Sequence, residues 1–153
     1  MRNLLAAVLL LALGSSAEAQ YTLSASHSYA GGYTPRSCRA IDGDTIRCRL
    51  ARSARTIRIL RIDAPETNIP CEAKRGKDAK DALSRLLKAG PVYIREATVN
   101  SRDVPGIPQP ALDRYGRRLA DVSVGGQDVA GFLLANKLVR PYNGGKRGLW
   151  PGC

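Results

Sequence analysis

Histidine is almost missing from this sequence of 153 residues: His27 is the only one. That excludes a zinc site built on two histidines, a serine nucleophile activated by a core histidine, and histidine-based metal hydrolysis. His27 falls in a stretch, 20–35, rich in Ser, Gly, Tyr and Ala without periodicity, which reads as a flexible leader or a frayed first strand. Long apolar runs are equally scarce. The one present, from Leu4 to Leu13, is about half the roughly 20 residues a bilayer requires, so no membrane span is expected. With Arg2 before it and Ala17-Glu18-Ala19 after it, this run has the form of a secretory signal over 1–19. The mature chain then starts at Gln20 and is exported, to a periplasm or beyond the cell. No internal repeat or second hydrophobic centre divides the remainder, so 36–153 reads as one domain.

Acidic residues are few, 13 against 24 Lys and Arg, giving a formal net charge of +11. Removing 1–19 leaves that charge unchanged, because Arg2 and Glu18 cancel. Such an excess in a small exported domain points to a polyanionic partner: nucleic acid, anionic glycan or an anionic membrane surface. The four cysteines all lie beyond the signal, and an even number in an oxidising compartment favours disulfides over zinc. Three pairings are formally possible. Cys38 and Cys48 lie five residues on either side of Gly43, so a hairpin turning at Asp42-Gly43 sets them opposite each other. That leaves Cys71 with Cys153, closing a loop of roughly 80 residues.

Between these cysteines the chain is organised around 57–67, Ile-Arg-Ile-Leu-Arg-Ile-Asp-Ala-Pro-Glu-Thr, which begins as a buried strand and ends as an acidic turn. Arg58 and Arg61 interrupt the aliphatic run, and each needs a carboxylate or a ligand if it is buried. Pro65 ends the ladder, so Asp63 and Glu66 fall where strand becomes loop, a usual place for catalytic side chains. Ordinary ion pairs with the arginines are the competing explanation of these acids. Upstream, 37–51 reads strand, turn, strand, with Asp42 and Asp44 flanking the glycine; aspartates are common in such turns for conformational reasons alone.

Downstream, 77–88 carries Ala79, Ala82, Leu83, Leu86 and Leu87 at helical spacing and stops at Gly90-Pro91. Val92, Ile94 and Val99 mark a fourth strand, and 100–112, with three prolines, is expected to be irregular. A fifth strand over 117–124 and a second helix over 128–137 precede a glycine-rich, basic tail, 140–153. Five strands with one helix between the third and fourth and a second after the fifth give a mainly β, α+β fold, the order of an OB-fold barrel. Its loops 42–44 and 101–114 flank the binding face. Asp44, Asp63 and Glu66 are thereby gathered, and three carboxylates need cations at neutral pH. Calcium suits such an oxygen set, magnesium is a second option, and zinc or copper has little to bind. Arg58 and Arg117 match phosphate oxygens bidentately.

Ala40-Ile41-Asp42-Gly43-Asp44-Thr45, the segment from Arg58 to Thr67, and Asp113-Arg114-Tyr115-Gly116-Arg117-Arg118-Leu119-Ala120 closely resemble, in order and spacing, the staphylococcal nuclease (thermonuclease) family over 36–142. One such segment alone is weak; three in series around the intervening helix are specific. The resemblance implies a calcium-dependent phosphodiesterase on an OB-fold that cuts DNA and RNA. It makes Asp44, Asp63 and the backbone carbonyl of Ala64 the calcium ligands, with Asp42 behind them. Glu66 matches the carboxylate that orients or deprotonates the attacking water, and Arg58 and Arg117 the arginines on the scissile phosphate. Arg114 and Tyr115 match the positions holding the terminal phosphate of a bound nucleotide, and Tyr142 lies near a tyrosine that packs on the nucleoside. Two departures stand out: 101–112 is longer and richer in proline, and 144–153 is too short and glycine-rich for the long helix that follows in the family prototype. A Cys71–Cys153 bond is expected to anchor the chain end instead. The alternatives are an OB-fold that binds nucleic acid without cutting it and a basic module on an anionic surface; the intact acidic and arginine set favours the enzyme. Nothing points away from a monomer.

Overall fold

The structure, a computed structural model, describes residues 28–100 and 106–153. The expected signal at 1–19, the leader up to His27, and 101–105 lie outside the described residues. In chain order the elements are β1 (Ser28–Tyr29), β2 (Ser37–Ala40), β3 (Thr45–Arg49), β4 (Ala54–Ile59), β5 (Ile62–Asp63), α1 (Ala73–Leu86), β6 (Val92–Asn100), β7 (Pro108–Pro110), β8 (Arg118–Val124), β9 (Gln127–Asp128), α2 (Val129–Ala135) and β10 (Arg140–Pro141).

The main sheet runs β6-β8-β4-β3-β2, with β4 and β8 parallel and the other neighbours antiparallel. This is the expected OB-like α+β order. The sheet is open, since no ladder among the described residues joins β2 to β6. Period-two alternation decides which side is core: Ile46, Cys48, Ile57, Ile59, Ile94 and Val122 point inward, while Arg47 and Arg49 point out. Cys38 faces Cys48 across the β2–β3 ladder and is bonded to it. The core fills the space between this sheet and the apolar stripe of α1 (Ala79, Ala82, Leu83, Leu86), with Val129, Ala130 and Leu133 of α2 closing it. The Asp128 carboxylate caps α2 by accepting from the Gly131 amide at 2.8 Å.

Helix α1 also seats both acidic turns, because its face there is small. A Cβ on Gly43 would fall 2.6 Å from the Ala79 Cβ and 2.7 Å from the Ala64 Cβ, and one on Gly76 would fall 2.6 Å from the Pro65 carbonyl oxygen. The hairpin turn and the end of the organising segment therefore rest directly on one helix.

Three expectations need correction and a fourth, the leader, is narrowed. The organising strand is not continuous: β4 ends at Ile59, Arg61 takes φ +71°, and β5 then pairs with β10. Arg61 is turned outward by Asp128 at 2.6 Å and Asp121 at 3.3 Å. The proline-rich region contains β7, which pairs with β6; proline is tolerated there because an edge strand needs no amide on its open side. Of the leader, Ser28–Tyr29 is paired to β6 and Tyr33 bridges to Ile94, which favours the frayed-strand reading for that part. Helix α1 begins at Ala73, four residues before the expected 77, and exposed Lys74–Asp78 and Lys77–Asp81 pairs bridge its successive N-terminal turns. No helix among the described residues is long and apolar enough to cross a membrane.

Candidate active site

Asp44, in the turn immediately before β3, is 5% exposed. Its Oδ2 accepts from the Ala64 amide at 2.8 Å and its Oδ1 from the Thr45 hydroxyl at 3.0 Å. Burial pushes its carboxyl up to about 7, against the pull of Arg58 and with a further upward push from Asp42. Asp42 accepts from the Asp44 amide at 3.0 Å, so it shapes the turn as well as standing behind Asp44.

Asp63, at the end of β5, is 1% exposed and meets three guanidinium groups. Arg140 grips its Oδ2 at 2.9 and 2.8 Å, Arg147 lies 3.3 Å from Oδ1, and Arg58 lies 3.5 Å from Oδ1. Glu66 is half-exposed; its Oε1 accepts from Arg147 at 2.8 Å, and its amide donates to Glu72 at 2.8 Å. Arg58 is 4% exposed and anchors its Nη1 on the carbonyls of Ile59 and Ile62 at 3.0 and 2.9 Å. Burial pushes the Arg58 guanidinium down, with Asp44 opposing. Its Nη2 lies 3.0 Å from Asp44 without an aligned hydrogen bond, and Asp63 Oδ1 likewise lacks a donor. The site thus holds one buried donor and one buried acceptor that no described group satisfies.

The 113–117 turn supplies the other wall. Asp113 accepts from the amides of Tyr115 and Arg117, both at 2.9 Å, and pairs with Arg117 Nε at 2.6 Å. Burial pushes the Asp113 carboxyl up, but these bonds and the Arg117 charge outweigh it and hold it below the usual range. Arg117 Nη1 also donates to Thr45 at 3.0 Å, tying β3 to the turn. Arg114 and Arg117 stack on Tyr115, which is 65% exposed, at 4.9 and 5.3 Å from the ring centre. Tyr142 sits between Arg58 and Arg147, 5.9 and 5.6 Å from its ring centre, with its hydroxyl donating to the Gly145 carbonyl at 2.7 Å.

Asp42, Asp44, Asp63, Ala64, Glu66, Arg114, Tyr115 and Arg117 border one open cavity of about 430 Å³. Arg58 and Tyr142 border an adjoining one of about 420 Å³, which shares Arg114, Tyr115 and Arg117. The expected residues thus lie around two adjoining cavities. Among the described residues no three His, Cys, Asp or Glu side chains converge as a metal cage. Arg58, Arg140 and Arg147 bring three guanidinium groups to these carboxylates.

Two of those arginines escaped the sequence reading. Arg140 and Arg147 come from the tail, which folds back over the cavity: Arg140 donates to the carbonyls of Gly148 and Leu149 and lies 4.8 Å over the Trp150 ring. Glu72 accepts from the Trp150 amide at 3.4 Å, Arg75 donates to the Pro151 carbonyl at 2.6 Å, and Cys153 is bonded to Cys71. Only the terminal cysteine and the basic composition of 140–153 signalled this strap.

Comparison with known proteins identifies a family. The family model described as Staphylococcal nuclease homologue matches residues 56–147, more than half of the chain and a stretch carrying Arg58, Asp63, Glu66, Arg114 and Arg117. Over 104 residues, 67% of this chain, the sequence is 36% identical to SPbeta prophage-derived endonuclease YokF and to Endonuclease YncB, both of Bacillus subtilis (strain 168). It spans 32% and 44% of those two proteins. With the matched stretch running through both walls of the cavity, and the OB-like sheet beneath it, the chain belongs to the staphylococcal nuclease family.

Proposed function

We propose that the protein is an exported, calcium-dependent nuclease that hydrolyses phosphodiester bonds of DNA and RNA. The observation that carries this reading is the convergence of Asp44, Asp63, Glu66 and Arg117 on one open cavity, with Arg58 clamped behind the two aspartates. The two Bacillus relatives are named endonucleases, and both disulfides fit an oxidising compartment. The donor set fits a hard cation: Asp63 Oδ1 is buried without a hydrogen-bond donor, and the Asp44 carboxyl is driven up to about 7 unless further positive charge joins it. Asp44, Asp63 and the Ala64 carbonyl would hold the ion, which supplies Lewis-acid polarisation of the phosphate.

The protein's own groups do the rest. Arg117 is fixed by Asp113 and Thr45 through Nε and Nη1, so its Nη2 is the nitrogen offered to a phosphate oxygen. Tyr115, Arg114 and Tyr142 provide aromatic and cationic surface for the nucleotide. Glu66, on the open wall, orients a water and accepts its proton as the water oxygen bonds to phosphorus and the P–O ester bond breaks. Arg58 stabilises the same charge while keeping the two aspartates together. Because it is buried between them, Arg58→Ala tests packing as much as catalysis.

The direct test is cleavage of single-stranded DNA, double-stranded DNA and RNA with calcium, with magnesium and with chelator, by wild type and Glu66→Gln. Cleavage that needs calcium and falls by more than about a hundredfold in the variant is expected. Salt-sensitive binding without cleavage under any condition would overturn the reading in favour of a binding module.

A further inference from the structure

Between Arg36 and Arg61 the chain carries eight arginines and two aspartates, and both aspartates sit at the hairpin turn. Three of those arginines are accounted for: Arg55 pairs with Glu96, Arg58 with Asp44 and Asp63, and Arg61 with Asp121 and Asp128. Arg36, Arg39, Arg47, Arg49 and Arg52 are exposed and have no ion-pair partner among the described residues.

Register places three of them in one track. Thr45, Arg47 and Arg49 are alternate residues of β3, so they share the face opposite the core; Arg39 lies directly across from Arg47, and Ser37 from Arg49. Thr45 pairs with Arg58 and is bonded by Arg117. The outer face of β3 therefore begins at the candidate catalytic arginines and runs outward through Arg47 to Arg49, about 13 Å over four residues. A shallow cleft bordered by Tyr115, Arg117 and Arg118 also reaches Thr56 and Ala54, the cross-strand neighbours of Arg47 and Arg49.

Fold stability does not explain this track. Like charges directly opposite on one face of an antiparallel pair are destabilising, and the Arg39–Arg47 pair is such a case. The sheet tolerates it where a hydrophobic or neutral pair would serve folding better, which indicates an anionic ligand that spans both strands.

We propose that Arg39, Arg47 and Arg49 form a phosphate-backbone track that extends the active-site cavity along the outer face of the β2–β3 hairpin and holds a nucleic-acid strand running beyond the scissile phosphate. The proposal rests on the nuclease reading for its substrate class. Its consequence is length selectivity: a long strand gains contacts that a dinucleotide cannot reach.

The test is equilibrium binding of a dinucleotide and of a long single-stranded oligonucleotide over a series of salt concentrations, with chelator present. Wild type is compared with R39Q/R47Q/R49Q and with a control, K74Q/R85Q/K88Q, that removes the same charge from exposed positions of α1 and the turn after it. For the long strand the track variant loses about 2 from the slope of log affinity against log salt, since each phosphate contact contributes roughly 0.7 on a single strand, while the control stays close to wild type. Dinucleotide binding is the same in all three. Equal slopes for wild type and track variant, or an equal loss in the control, overturn the proposal. Thermal melts show whether the track variant is folded, and it is expected to melt no lower than wild type because the opposed pair is gone. If it does melt lower, R39Q alone, with an expected slope loss of about 0.7, decides the question. Binding is read without turnover, so a protein that binds through the track but never cleaves would sink the nuclease reading and leave the track standing.

Discussion

Removing the Cys71–Cys153 bond by C71S/C153S should cost more than its position at the chain end implies. Both cysteines are exposed, so serine there buries no new polar group, and the change reports the cross-link itself. The bond joins residues 82 apart, and chain-entropy arithmetic for a loop of that length gives an upper limit of about 4.5 kcal/mol. The tail can partly offset this through its own contacts: Arg75 to Pro151, Trp150 to Glu72, and Arg147 to Glu66 and Asp63. Some of those pairs are exposed and worth little each, so the expected loss lies between about 2 and 4.5 kcal/mol, or about 5–15 °C in melting temperature. Urea unfolding measures it. A second assay reports the strap locally: trypsin should cut after Lys146 or Arg147 faster in the variant, since a freed tail opens without global unfolding. Stability within ~0.5 kcal/mol of wild type together with unchanged tryptic cutting would refute the view that the bond holds the tail over the site.

Three further outcomes follow from other parts of the structure. Glu96 is buried and accepts from Tyr33, Arg55 and Arg118; burial pushes its carboxyl up, but those bonds prevail and hold it below its usual 4.5. A depressed carboxyl adds stability that is present above the unfolded value and lost as pH falls through the folded one, so Glu96→Gln should cost about 2 kcal/mol near neutrality and flatten the acid limb of a melting-temperature profile. Asp44 has the opposite sign: its carboxyl is raised from 3.8 to about 7, so with chelator its contribution is full below the unfolded value and is lost as pH rises through about 7. Asp44→Asn should remove that decline, and calcium should raise the wild-type melting temperature more at alkaline than at acid pH. Gly76→Ala, whose methyl would press on the Pro65 carbonyl, should shift the Glu66 turn, costing about 1–3 kcal/mol in a denaturant melt and lowering turnover with little change in affinity for a long strand.

Local patterns made the OB-like sheet order and the acidic turns legible. Asp42-Gly43 fixed the hairpin, and with it the Cys38–Cys48 bond, because turn chemistry and strand register are decided within about ten residues. The break at Arg61 was hidden because Ile57 to Ile62 reads as one strand to any local rule, and the acids that turn Arg61 outward lie 60 and 67 residues away. The strap was hidden for the same reason, since Arg140 and Arg147 find Asp63 and Glu66 across 77 and 81 residues. β7 was missed because its prolines argue against a strand in general but not against an edge strand beside β6.

Three carboxylates at one place need positive charge, and Arg58, Arg140 and Arg147 already bring three guanidinium groups to Asp44, Asp63 and Glu66. Such a site is close to neutral by itself, and Arg117 is largely compensated by Asp113. A divalent ion held by Asp44 and Asp63 would give that cluster excess positive charge, which is what a phosphodiester requires. Binding of the strand and binding of the ion should then strengthen each other. Arg147→Gln should weaken that coupling, read as the change in strand affinity on adding calcium, because it leaves Glu66 and Asp63 more negative and shifts the ion's part from attracting substrate towards neutralising the site.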